Sequence, residues 1–176
     1  MHTERSMVTT LCAIALLGQT SYAPTGAQIQ VTMGNNKSFV ITCDPKASPK
    51  TVARVTELVR AKFYDGIRFH RVEDWVRQWG DPTSRKSLDG AGSGGSGKAL
   101  PFEGSKVSFL RGVVGVASTG AGVGGDSQLF IIKKDSARLD GKYAVVGKVT
   151  QGMNVVDAIV RGDTIKTMRV LARTRR

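Results

Sequence analysis

Apolar and polar residues alternate from Gln28 to Met33, with Ile29, Val31 and Met33 on one side. They alternate again from Lys37 to Cys43 through Phe39, Ile41 and Cys43. Gly34-Asn35-Asn36 between them is turn material, so the pair predicts a β-hairpin. The period then lengthens: after Ser48 and Pro49, an N-cap followed by a first-turn proline, Val52, Val55, Leu58 and Val59 recur at helical spacing. An amphipathic helix over 49–62 follows, ended by Tyr64-Asp65-Gly66. Ile67, Phe69 and Val72 begin another strand, and Trp75 to Trp79 reads as one more. Residues 80–106 form a long polar, glycine-rich loop, of a kind that tends to be functional or mobile. Val113–Ala117, Leu129–Ile132, Tyr143–Val149 and Ile165–Ala172 read as strands; Met153, Val156, Ile159 and Val160 read as a short second helix.

About eight short strands linked mostly by turns, with two helices, argue against alternating β-α units. The economical arrangement is a mainly β fold, a closed eight-stranded antiparallel barrel capped by two α-helices, because closure removes exposed edges. The chain has 176 residues, enough for one domain plus a leader or tail. Val8 to Leu17 is an apolar run preceded by His2 and Arg5 and followed by small residues, so residues 1–27 read as a secretory signal. The run is too short to span a membrane. Residues 28–172 then form the domain and 173–176 a basic tail; a periplasmic or secreted location is expected.

Composition narrows the chemistry. With only His2, His70, Cys12 and Cys43, no three-His, Cys₂His₂ or Cys₄ zinc site can be assembled, and any His-dependent triad would rest on His70 alone. The net charge of +12 is dispersed, and the few aromatics fall in apolar runs rather than among the basic residues. That distribution describes a solvated basic surface and argues against nucleic-acid recognition, leaving attraction to anionic lipids or polymers open. Two glycine motifs are decoys. Gly92 to Lys98 reads G-x-x-x-x-G-K, but Ala99 stands where a magnesium-binding Ser or Thr belongs. Gly120 to Gly125 reads G-x-G-x-x-G, but a strand follows rather than the helix whose N-terminus would hold a pyrophosphate.

One constellation is specific. Tyr64-Asp65-Gly66-Ile67-Arg68-Phe69-His70-Arg71-Val72 is followed by Trp75-Val76-Arg77-Gln78-Trp79-Gly80-Asp81-Pro82, then Gly115-Val116-Ala117-Ser118, Ser127-Gln128-Leu129-Phe130, Leu139-Asp140-Gly141-Lys142-Tyr143 and Gly147-Lys148-Val149. In order and spacing this resembles the cyclophilin-type peptidyl-prolyl cis-trans isomerases, from about Gln28 to Leu171. The resemblance implies rotation about Xaa-Pro bonds, with no cofactor and no metal. It implies Arg71 as the donor to the proline nitrogen and Gln78 as the residue that orients Arg71 and bonds the substrate carbonyl. Phe130, Leu139 and Val76 would form the proline pocket, with Trp75 in place of the family's usual Phe and Tyr143 in place of its usual His. Ala117, Ser118 and Gln128 would hold the residue before proline, and His70 would be a structural hydrogen-bonding residue.

Departures from the family pattern matter. The Arg71–Gln78 segment is one residue short, and Trp79 stands where Gly is usual. Arg138 replaces the Trp of cyclosporin-sensitive members, so weak cyclosporin binding is expected. The expected partners are proline-containing peptides and unfolded or folding proteins, and a monomer is expected. A proline-peptide binding or holdase module with little turnover is the alternative, as is a basic surface-binding protein that uses this fold.

Overall fold

The computed structural model describes residues 22–172. The first 21 residues of the expected leader and the basic tail 173–176 lie outside the described residues. The last part of the expected leader runs beside the domain: Gly26 N donates to Cys43 O at 2.9 Å and Tyr22 Oη donates to Asp44 Oδ2 at 3.0 Å.

The chain order is β1 (Gln28–Met33), β2 (Ser38–Cys43), α1 (Pro49–Arg60), β3 (Arg71–Glu73), β4 (Val76–Trp79), β5 (Val113–Val116), β6 (Leu129–Ile132), β7 (Val145–Gln151), α2 (Met153–Asp157) and β8 (Ile165–Val170). The hairpin and both helices fall where the periodicities put them. Two short 3₁₀ turns, Pro82–Arg85 and Ala137–Leu139, were not legible as helical because each is only three or four residues long.

All eight strands join one antiparallel sheet in the order β3-β4-β6-β5-β7-β2-β1-β8, curled into a half-barrel with two helices. The expected closure does not occur as a continuous ladder, because β3 and β8 are the two ends of the order. The cause lies in the strand expected from Ile67. That segment splits: Phe69 N donates to Asp163 O and Ile165 N to Ile67 O, both at 2.9 Å, whereas His70 N turns to Gln78 O at 3.2 Å. One stretch of backbone thus serves β8 and then β4, and the two ends meet through the isolated bridge Arg68–Thr164 and the few backbone bonds around it.

Alternation sorts side chains to the two faces of the strands. On β6, Leu129 and Ile131 enter the large core inside the half-barrel, with Ile29, Val31, Phe39, Ile41 and Val55. Phe130 and Ile132 face the other way and form a second cluster with Val76, Phe109, Val113, Leu139 and Val145. Gly115 makes this second cluster possible: a Cβ there would lie 2.5 Å from the Phe130 ring and 2.8 Å from Phe109. The two rings stack with centroids 5.5 Å apart. Cys43, the free cysteine among the described residues, is fully buried, and burial pushes its thiol up to about 11, which leaves it unreactive.

The start of α1 corrects an expectation. Ser48 precedes the helix but makes no side-chain cap bond. Glu103 does that work from far along the chain: Oε1 accepts from Lys50 N at 3.1 Å, and Oε2 from Thr51 N at 2.7 Å and Thr51 Oγ1 at 2.8 Å. Its charge also suits the positive end of the helix dipole. Glu103→Ala is expected to cost about 1–2 kcal/mol in urea unfolding. An unchanged midpoint would show that water satisfies these donors equally well.

Candidate active site

The turn is tight where the Arg71–Gln78 segment is a residue short. Glu73 pairs with Val76 across a two-residue turn, Asp74-Trp75, so Arg71 and Gln78 lie directly opposite on neighbouring strands. Directly opposed side chains share a face, with Cβ atoms about 5 Å apart. Arg71 Nη1 donates to Gln78 Oε1 at 3.5 Å. Gln78 Nε2 donates to Gln128 Oε1, and Gln128 Nε2 donates to the carbonyls of Gly92 and Gly94, each at 2.8 Å. A polar relay therefore runs from Arg71 into the glycine-rich loop. Buried Arg77, on the opposite face of β4, clamps the turn by donating to the Glu73 and Val76 carbonyls.

Arg71 stands over a cavity of about 190 Å³. Its floor is apolar, made of Val76, Phe130 and Leu139, with Trp75 and Tyr143 at the walls. Tyr143 meets Phe130 edge-on at 5.7 Å between centroids. Ala117 and Ser118 close the side towards a second cavity of about 500 Å³, which Gln128, Gly92, Gly95 and Asp126 also line. The residues expected from the sequence thus converge, with two qualifications. Gln128 lines the neighbouring cavity rather than the apolar one. His70 lies in neither; its ring is buried against Gly92 with both nitrogens lacking a hydrogen-bond partner. The expected hydrogen-bonding role falls to its backbone, which donates to Gln78 O and accepts from Arg161 Nε at 3.0 Å.

Glu73 escaped the sequence reading. Its carboxylate accepts from Arg71 Nε at 2.6 Å and from Trp75 Nε1 at 2.8 Å, and the Arg71 guanidinium lies 5.2 Å from the Trp75 ring centroid. The bond from Arg71 holds the carboxyl below its ordinary range, against the small effect of burial. The signal was present as period two along β3, which puts residues 71 and 73 on one face. Arg138, expected at the wall in place of a Trp, lines the cavity; its guanidinium lies 4.2 Å from the centroid of the Trp75 ring, a contact the sequence did not announce.

The decoy glycines have an occupant. Gly92 N and Gly94 N donate to Asp81 Oδ2 at 2.6 and 2.8 Å, and Gly97 N donates to Asp126 Oδ2 at 2.9 Å. Amides that might have cradled a phosphate cradle the protein's own carboxylates, and so shape the loop beside the site. Burial would raise the Asp81 carboxyl, but the bonds from Gly92, Thr83 and Gly94 outweigh it and keep it ionised.

His70 makes stability depend on pH. Burial lowers its pKa below the ordinary 6.5, opposed by Asp81 and the Gln128 side chain, with Arg161 and Arg71 adding to the lowering. The unfolded chain therefore takes up this proton at higher pH than the folded one. The contribution is complete above about pH 6.5 and is lost as pH falls towards the folded value. Urea midpoints are expected to drop between about pH 7 and about pH 5, and less steeply for His70→Gln. Equal slopes in the two proteins would remove His70 from the account.

Comparison with known proteins agrees with this geometry. Residues 28–175 match the family described as cyclophilin type peptidyl-prolyl cis-trans isomerase/CLD. A Brucella abortus protein named "Probable peptidyl-prolyl cis-trans isomerase" is 43% identical over 125 residues, which are 67% of this chain and 64% of the relative's length. Peptidyl-prolyl cis-trans isomerase B of Bacillus subtilis is 37% identical over 140 residues, 78% of this chain and 92% of the relative. The fold is similar to a crystal structure of a Cryptosporidium parvum cyclophilin type peptidyl-prolyl cis-trans isomerase, with TM-score 0.73 and 21% identity over 85% of this chain and 100% of that one. Matched from its first strand to beyond its last, this chain belongs to the cyclophilin-type peptidyl-prolyl cis-trans isomerase family.

Proposed function

We propose that the protein accelerates rotation about Xaa-Pro peptide bonds, and that Arg71 is the group that lowers the barrier. The observation that carries this reading is a half-exposed guanidinium held over a small apolar cavity. An amide resists rotation by about 18–20 kcal/mol because the nitrogen lone pair conjugates with the carbonyl. As the bond turns, the lone pair localises on the proline nitrogen and becomes a hydrogen-bond acceptor. A donor aimed there binds the twisted state better than either planar one, and about 4 kcal/mol of such preference gives a thousandfold acceleration. Arginine suits the task because it stays charged and its fork can bond several groups at once.

The remaining roles follow. Phe130, Leu139 and Val76 hold the ring, with Trp75 and Tyr143 beside it. Gln78 orients Arg71 and bonds the substrate carbonyl. Ala117 and Ser118 offer backbone to the residue before proline. The Ser118 hydroxyl is turned to Gly120 O at 2.7 Å, so its side chain is not needed there. Gln128 anchors the relay. The chain needs no cofactor for this chemistry. The Cryptosporidium protein is also known in a structure in the presence of the dipeptide Ala-Pro, a ligand class that this reading assigns here too.

A second reading, a proline-peptide binding module with little turnover, draws on Glu73, whose bond to Arg71 Nε occupies one donor. Two-dimensional exchange NMR on a short Xaa-Pro peptide separates the two. Catalysis gives fast cis–trans exchange cross-peaks at substoichiometric protein. Line broadening with unchanged exchange means binding alone.

The apolar run Val8–Leu17 supports export, with newly exported proteins as clients; a monomer is the working form proposed. Recovery of the full-length chain solely from the cytoplasm would overturn the export reading. Cyclosporin is expected to bind weakly, since Arg138 puts a cation where a large apolar wall would be needed. Submicromolar inhibition in a titration would reverse that expectation.

A further inference from the structure

Arg138 sits on the wall of the apolar cavity, at the side formed with Trp75 and Leu139. Several arginines and lysines nearby are committed, although Lys142, beside Leu139, also makes no ion pair among the described residues. Arg71 is bonded to Glu73, and Arg111 to Asp157 at 2.6 Å, with Lys133 beside the same carboxylate. Arg138 is exposed and has no ion-pair partner among the described residues. Its guanidinium is held by the face of Trp75, at 4.2 Å from the centroid. Stacking of this kind fixes the plane and leaves the edge of the fork, with its N–H donors, free to bond. The Trp75 ring is itself fixed, since its indole N–H is bonded to Glu73. The result is an oriented, unpartnered cation beside the place assigned to proline.

The chain direction of a bound peptide decides what Arg138 meets. The larger cavity shares Gln78, Ala117 and Ser118 with the apolar one, and these are the residues assigned to the position before proline. Arg138 lines only the apolar cavity and is not among the residues that the two cavities share. A peptide entering through the larger cavity and placing proline over Phe130 leaves past Trp75 and Arg138.

We infer that Arg138 is a specificity-determining residue that selects peptides carrying an aspartate or glutamate just after the proline. The inference rests on the proposed placement of the peptide. A carboxylate takes two parallel bonds from one guanidinium, the strong geometry for this pair. Glu73 is within electrostatic reach of Arg138 but forms no ion pair with it; its oxygens are engaged by Arg71 and Trp75, which hold it on the Arg71 side. A lysine after proline meets Arg138 unfavourably.

The test compares Ala-Ala-Pro-Xaa peptides with Xaa as Glu, Gln or Lys, and a control with Glu placed three residues before proline and Gln after it. Exchange NMR gives kcat/KM, and a shift titration gives Kd for each. The Glu peptide is expected to exceed the Gln peptide by about fivefold to tenfold, with Lys lowest. In Arg138→Gln the Glu-to-Gln ratio is expected to fall to about one, and Arg138→Lys to keep part of it. The ratio is read within each variant, so a general loss of activity cancels. An unchanged ratio in Arg138→Gln overturns the inference. So does an equal gain from the control peptide, which would mean attraction to the +12 chain as a whole. A Glu preference in Kd without turnover would keep the role of Arg138 and remove the isomerase reading instead.

Discussion

Arg71→Ala is expected to lower kcat/KM for Xaa-Pro exchange by about 10²–10³-fold while peptide Kd changes only a few-fold. The split follows from where the donor acts. A planar Xaa-Pro bond keeps its lone pair in conjugation and gives Arg71 little to bond, so the ground state loses little with the side chain. The twisted state offers a localised lone pair, and there the loss is full. Apolar contacts with Phe130, Leu139 and Val76 remain and keep the peptide bound. Arg71→Lys keeps the charge but lacks the rigid planar fork that spaces the bonds to Glu73, Gln78 and substrate, so it is expected to recover only part of the rate. The thermal midpoint is expected to stay within a few degrees in both variants, because an exposed ion pair adds little. The measurement is exchange NMR with a titration on the same samples. Equal loss of rate and affinity would mean that Arg71 binds both states alike and is not the barrier-lowering group.

The largest effect on stability is expected at Trp79. Its ring is fully buried in the large core, tilted against Phe69 with centroids 5.1 Å apart. The sequence left open where so large a side chain could go at a position that usually holds glycine; alternation along β4 sends it into the half-barrel, opposite the face of Gln78. Trp79→Ala removes the ring from a closed interior and is expected to cost about 3–5 kcal/mol, or about 10 °C in the thermal midpoint. Trp79 Nε1 is buried with no partner, which sets up a second, opposite expectation. Trp79→Phe keeps most of the packing and removes an unsatisfied donor, so it should be near neutral or stabilising. Calorimetry on the three proteins decides it. A Phe variant as damaged as the Ala variant would show that the indole N–H has a partner after all.

Much of this protein could be read from local pattern. Period two in Gln28–Met33 and Lys37–Cys43, and helical period after Pro49, mark elements because neighbours along the chain alone determine which side each residue faces. The order and spacing from Tyr64 to Val149 sufficed to identify the family and to name Arg71, Gln78, Phe130 and Leu139. These residues lie on or beside short strands whose register follows from the same alternation.

What escaped depends on contacts between residues far apart in sequence or on exact turn geometry. No local signal says that Glu103 rather than Ser48 serves α1, that the amides of Gly92 and Gly94 close on Asp81, or that the Ile67–Val72 stretch changes partner at His70. The missing residue before Gln78 was visible in the sequence. That it produces a two-residue turn, sets Glu73 against Arg71 and brings Trp75 under Arg138 was not. The sequence by itself determined the elements, their faces and the chemistry available to them. Only the tertiary structure decided which donors were already taken and which, as at Arg138, were left without an ion-pair partner among the described residues, because hydrogen-bond partnership is settled by packing across the sheet rather than by position along the chain.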